Sequence, residues 1–178
     1  INIISSIPEW SFDGSSTNQA KTEDSDLILK PVRVFQNAME SRQGPALYVL
    51  CEVYNTDGTP HKSNTRNRLV KNVEVARDQD LWVAVEQEFV LLDPATGKPF
   101  GWEKYENDKP PSQGKYYCGV GADTTMARQL MDGFMNIITQ SGIMLDGYHP
   151  EVMLSQWEYQ TTTGSPLDIA DQLWLSLI

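Results

Sequence analysis

The sequence predicts an α+β chain in two parts, and three observations carry that expectation. Alternating polar and apolar residues at 27–34, 46–54 and 82–92 read as strands. Stretches at 61–79, 124–141 and 167–178 carry apolar residues in helical patterns, and clusters of Gly, Pro, Asn and Asp separate these elements. The 178 residues are 40% hydrophobic, enough for one ordinary domain or two small ones with a real core.

The elements follow in order. SFDGSSTNQAKTEDSD, from Ser11, is a polar turn-forming loop that leads into alternation through Leu27, Leu29, Val32 and Val34. Ala46 to Tyr54 reads as a second strand closed by a turn at Asp57-Gly58, giving a small antiparallel or mixed sheet. Residues 61–79 form a polar surface helix that begins near Ser63 or Asn64, with Leu69, Val70, Val73 and Ala76 as its apolar positions. A boundary near residue 78 divides the chain into 1–77 and 78–178. The second part opens on WVAVEQEFVLL (82–92) and continues into a long Gly-, Pro- and aromatic-rich loop, a length that points to function. A helix is expected from Thr124 to Ser141, capped by Asp123 or Thr124 and ended at Gly142, with Met126, Leu130, Phe134, Ile137 and Ile138 as its core face. The segment 142–160 has strand composition, and Ser165-Pro166-Leu167-Asp168 has the cap chemistry of a final helix. The apolar LWLSLI tail carries no stop signal, so the chain reads as cut off rather than finished.

Charge and cysteine usage narrow the function classes. A formal charge of −10 argues against a general nucleic-acid or anionic-membrane surface and favours attraction of cations. There is no apolar run of membrane-spanning length, and INIISSIPEW lacks the build of a signal peptide, so the expectation is a cytoplasmic protein with no membrane and no nucleic-acid partner. Cys51 and Cys118 have no CxxC spacing and read as free thiols.

Alternation puts Glu86 and Glu88 on one face of an otherwise apolar strand. Paired carboxylates there repel and lose hydration unless water, a proton or a cation compensates. A divalent metal and a solvated face both remain open on this spacing. Glu151 and Glu158 form a second pair, but seven residues is an odd offset, so they converge only across a bend or bulge. Four carboxylates without a Cys or His cluster favour Mg²⁺ or Mn²⁺ over zinc. His149, beside Pro150, reads as a turn residue rather than a ligand. GVGAD (119–123) lacks the full pattern of a phosphate-binding loop, and no Ser-His-Asp or GxSxG signature occurs.

In order along the chain, WSFDGSST (10–17), SD with KPV (25–32), EQEF (86–89), YYCGVGAD (116–123) and EVMLSQWEYQ (151–160) resemble glutamine synthetase, specifically its eukaryotic-type class, over nearly the whole chain. The resemblance implies a partial β-grasp-like N-terminal domain followed by the start of an antiparallel-sheet catalytic domain. It implies ATP-dependent ligation of ammonia to L-glutamate through γ-glutamyl phosphate, in a homo-oligomer with active sites between subunits. By motif, Glu86, Glu88, Glu151 and Glu158 correspond to the glutamates that bind Mg²⁺ or Mn²⁺. Asp13 corresponds to the aspartate near the ammonium site of a neighbouring subunit, Ser16 belongs to the same loop, and Gly119 and Gly121 fall in the nucleotide-side wall. The chain departs from the family at Leu154-Ser155 and at His149-Pro150, so the turn between the second pair of glutamates is expected to differ. Later family elements have no counterpart before Ile178, and the 178 residues alone are expected to be inactive. A non-catalytic assembly partner and a γ-glutamyl ligase for another amine are the alternatives.

Overall fold

The computed structural model of the chain describes residues 3–39, 46–111, 115–121 and 124–178. Among the described residues six strands and three α-helices follow in the order β1 (Trp10–Asp13), β2 (Asp26–Asn37), β3 (Ala46–Asn55), α1 (Thr65–Val75), β4 (Glu86–Val90), α2 (Arg128–Gln140), β5 (Leu145–Pro150), β6 (Gln156–Thr161) and α3 (Pro166–Ser176). The strands form two antiparallel three-stranded sheets, ordered β1-β2-β3 and β4-β6-β5, so the α+β expectation holds. The chain divides into two compact units, one of residues 1–83, 140–142 and 164–178, the other of 84–139 and 143–163. Among the described residues no helix is long and apolar enough to cross a membrane.

In the first unit β2 and β3 make a long ladder from Leu27↔Asn55 to Asn37↔Ala46, with a register shift between Pro31 and Arg33. Proline offers no N–H to the ladder, and a bulge accommodates it. Helix α1 starts where sequence places it, because the Asn64 side chain accepts a hydrogen bond from the Asn67 N–H at 2.9 Å. Its expected apolar positions Leu69, Val70, Val73 and Ala76 are all half-buried. Helix α3 is capped by Ser165, whose Oγ accepts from the Asp168 N–H at 3.3 Å, with Pro166 in its first turn.

A charged network ties these elements together. Arg66 donates to Glu52 Oε1 at 2.6 Å and, through two nitrogens, to both oxygens of Asp171 at 2.8 and 2.9 Å. Glu52 and Asp171 are buried, and Arg33 pairs with Asp168 and, at 3.7 Å, with Asp171. Burial alone would push the Glu52 carboxyl up, but the bonds from Arg66, Tyr54 and Asn64 outweigh it and hold it below the usual range. A cavity of about 530 Å³ beside this network is lined by Leu69, Cys51 and Trp174 as well as by its charged groups. Those charges are already paired with one another, which makes the network a structural tie.

The second sheet separates two chemistries by face. Gln87, Phe89, Trp157, Tyr159 and Tyr148 share one side through the pairs Gln87↔Tyr159, Phe89↔Trp157 and Tyr148↔Tyr159. Phe134 of α2 packs on Phe89 and Tyr159 at centroid distances of 6.2 and 6.4 Å, and Trp157 and Tyr159 are almost wholly buried. Helix α2 thus covers the aromatic face. It begins at Arg128 rather than Thr124, because Ala127 sits at φ +60° and breaks the helical backbone there. Its buried positions are Met131, Met135 and Ile138, whereas Leu130 and Ile137 of the expected stripe are exposed. Gly142, at φ +89°, follows the helix as expected. Of the expected cap residues, Asp123 lies outside the described residues. Strand β4 is shorter than the apolar run suggested, and Trp82 is exposed.

Candidate metal and catalytic site

The opposite face of the second sheet carries the acids. Strand register aligns Glu88, Glu158 and His149 in one row across β4, β6 and β5, and sets Glu86 opposite Gln160 in the next. Directly paired residues project to the same side, so both glutamates of β4 share a face with Glu158. Like charges opposite one another destabilise a ladder unless something compensates. Gln156 Nε2 donates to Glu88 Oε2 at 2.7 Å, which restrains that carboxylate.

Glu151 joins the group through a tight turn. Residues 151–155 link β5 to β6, the Glu151 N–H donates to the Gln156 carbonyl at 2.8 Å, and Ser155 adopts φ +70°. This is the bend that an odd offset demanded. Ligand atoms of Glu151, Glu158 and His149 all lie within 4.8 Å of one another. Both carboxylates are more than nine-tenths buried, with relative exposures of 7% and 6%. Among the described residues no lysine or arginine pairs with either, and their ion-pair neighbour is His149, at 4.0 Å from Glu151 and 3.5 Å from Glu158.

His149 is therefore not the turn residue expected from its proline neighbour. It occupies a strand position, with its ring edge-on to Tyr117 at 5.5 Å between centroids. The signal that could have found it was parity: His149 lies two residues before Glu151, and the strand register carries it across to Glu158. The Tyr117 phenol is pushed up, first by the neighbouring Cys118 thiol and also by the Glu151 and Glu158 carboxylates. Two oxygen donors that lack a protein cation, with an imidazole beside them, form a donor set that fits a divalent ion. Glu86 and Glu88 lie on the same face, outside that tightest group.

The glycine loop lies against the same end of β5, where the Cys118 N–H donates to the Pro150 carbonyl at 3.0 Å. A side chain at Gly119 would put its Cβ 2.8 Å from the Tyr116 carbonyl oxygen, so the tight loop requires glycine there. The Gly119 carbonyl accepts from Arg128 at 3.0 Å, and the Gly121 carbonyl accepts from the Thr124 and Thr125 N–H groups.

Asp13 ends β1 in the first unit and organises its own loop. Its carboxylate accepts from the Ser15 N–H at 2.9 Å, the Ser15 hydroxyl at 2.6 Å and the Ser16 hydroxyl at 3.1 Å. Those bonds, led by the Ser15 hydroxyl, hold the exposed Asp13 carboxyl down at about 2. Ser16 is thus a partner of Asp13.

Residues 62–176 match the family model for the glutamine synthetase catalytic domain. The chain belongs to the glutamine synthetase family. It is 41% identical over 176 residues to the glutamine synthetase of Saccharomyces cerevisiae, covering 99% of this chain and 46% of that protein. It is 42% identical over 173 residues to that of Hebeloma cylindrosporum, covering 97% and 48%. The chain therefore spans about half the length of these relatives. In fold it is similar to a Plasmodium falciparum glutamine synthetase solved by cryo-electron microscopy, with a TM-score of 0.69 at 20% identity over 94% of this chain and 38% of that one. A crystal structure described as a novel glutamine synthase homolog gives 0.65 at 21% identity, over 98% and 40%. Glu86, Glu88, Glu151 and Glu158 fall inside the stretch matched to the glutamine synthetase catalytic domain, and Asp13 and Ser16 lie before it.

Proposed function

We propose that this chain forms part of an enzyme that ligates ammonia to L-glutamate at the expense of ATP, giving L-glutamine through γ-glutamyl phosphate. The observation that carries the reading is the acidic face of the second sheet, in a chain of this family. Glu86, Glu88, Glu151 and Glu158 are read as the residues that hold Mg²⁺ or Mn²⁺. When bound, such ions supply positive charge that binds ATP phosphates and offsets charge developing during phosphoryl transfer. The protein's own part is to fix the carboxylates: the ladder places Glu88 beside Glu158, the turn brings in Glu151, and Gln156 restrains Glu88.

The proposed chemistry balances in two displacements. The glutamate γ-carboxylate takes the terminal phosphoryl group and ADP leaves; ammonium gives up one proton to become ammonia, which attacks the acyl carbon, and the phosphate that leaves takes up the second proton shed by the new amide nitrogen. Asp13 is proposed to hold ammonium, with Ser16 positioning it. A carboxyl held at about 2 stays ionised, so Asp13 is proposed both to attract the ammonium cation and to take its proton as the nitrogen attacks. Gly119 and Gly121 are proposed to line the nucleotide side. The organisation put forward is an N-terminal domain at 1–77 and part of a catalytic domain at 78–178, in a cytoplasmic homo-oligomer where Asp13 serves a neighbouring subunit's site. The test is glutamine formation by the natural protein that carries this chain, with glutamate, ATP and ammonium supplied and other amines as comparators. An Asp13→Asn variant is expected to raise the ammonium KM; an unchanged ammonium dependence would remove Asp13 from the site.

A further inference from the structure

The imidazole of His149 is held in an orientation characteristic of a ligand. Its Nδ1 lies 3.0 Å from the Pro150 carbonyl, an acceptor only, so Nδ1 carries the hydrogen and donates it there. Nε2 then presents a lone pair, and it faces Glu158 Oε1 at 3.5 Å. A lone pair aimed at a buried carboxylate is repulsive unless a donor or cation stands between them. The Gln160 carboxamide nitrogen fills that role here, donating to His149 Nε2 at 3.1 Å and to Glu158 Oε1. A histidine whose second nitrogen is anchored on a backbone carbonyl is the usual arrangement at metal centres, where the anchor fixes the tautomer and the ring.

We propose that His149 supplies a nitrogen ligand, through Nε2, to a divalent cation held with Glu151 and Glu158, and that this donor set favours Mn²⁺ over Mg²⁺. The inference rests on reading the acidic face as a cation site and adds to it a residue and a preference. Two ligands about 2.1 Å from one ion are at most about 4.2 Å apart. A ring nitrogen of His149 and one oxygen each of Glu151 and Glu158 lie within 4.8 Å of one another, with Nε2 already 3.5 Å from Glu158 Oε1, so binding asks for a modest closing within the reach of side-chain rotation. Imidazole is a poor partner for Mg²⁺, which prefers oxygen, and a better one for first-row transition ions. A cation held there would take the place of the Gln160 amide, which now stands between Glu158 and His149.

The test uses the natural protein that carries this chain, stripped of metal. Mn²⁺ binding is read from the loss of the free-ion electron paramagnetic resonance signal, with Mg²⁺ as competitor, and coordinated nitrogen is read from electron spin-echo modulation. His149→Gln is expected to weaken Mn²⁺ binding about 10- to 100-fold while changing Mg²⁺ binding by less than about threefold, and to diminish the nitrogen modulation. His149→Asn is the second variant, and thermal melts of both separate a folding defect from a lost ligand. An unchanged Mn²⁺-to-Mg²⁺ ratio and unchanged nitrogen modulation in both variants, with binding abolished by Glu151→Gln, overturns the role of His149 and leaves the acidic site standing. No saturable cation binding in the unaltered protein overturns both.

Discussion

Replacing Glu158 by Gln should stabilise the protein when metal is removed and abolish its stabilisation by metal. Glu151 and Glu158 are both buried, with donor oxygens within 4.8 Å, and no lysine or arginine among the described residues neutralises them. At an effective dielectric constant of about 20, two unit charges at that limit repel by about 3.5 kcal/mol. Spreading each charge over two oxygens and weakening the bond that Glu158 accepts from Gln160 reduce the net gain to about 2 kcal/mol. The assay is urea unfolding of the unaltered and Glu158→Gln proteins, each in chelator and in saturating Mg²⁺ or Mn²⁺. The variant should have the higher midpoint in chelator, and its midpoint should not rise when metal is added, whereas that of the unaltered protein does. Equal destabilisation of the variant with and without metal would refute the reasoning, because it would mean that the carboxylates are satisfied by the protein alone.

Two further outcomes follow from the first unit. Arg66→Met removes three short charge-assisted bonds from Glu52 and Asp171 and should cost about 3 kcal/mol by chemical denaturation, at the lower end for a broken buried pair because Tyr54, Asn64 and Arg33 remain as partners; replacing both acids and Arg66 together by apolar residues should recover most of that loss. The Asp13 carboxyl, lowered to about 2 from an ordinary 3.8, contributes stability that is fully present above about pH 3.8 and is lost as pH falls through about 2; carbon-detected NMR titration should give that midpoint, and Ser15→Ala should return it toward 3.8.

Much of this was legible in the sequence wherever one local interaction decides the outcome. Asn64 and Ser165 announce helix starts because a single side-chain oxygen satisfies an amide of the first turn. The shared face of Glu86 and Glu88 follows from strand parity alone. Helix α2 was harder because it carries two overlapping apolar stripes, one through Leu130, Phe134 and Ile137 and one through Met131, Met135 and Ile138. The aromatic face beneath it selects the second stripe together with the half-buried Phe134, and that choice is tertiary. Its late start depends on the left-handed backbone of Ala127, which no propensity indicates. His149 escaped for a related reason. Its neighbour Pro150 suggests a turn, but Pro150 instead ends an edge strand, where a missing N–H costs little.

The proposed role of the acidic face of the second sheet in ATP-dependent ligation of ammonia to glutamate is tested by the stoichiometry of the products. With the natural protein that carries this chain, glutamine and phosphate are quantified together while ammonium is varied in the presence of glutamate, ATP and Mg²⁺ or Mn²⁺, for the unaltered protein and for Glu158→Gln. Glutamine and phosphate are expected to form in equal amounts, dependent on ammonium, and neither should form in the variant. Equal turnover by the variant, or no glutamine from the unaltered protein at any ammonium concentration, would contradict that role.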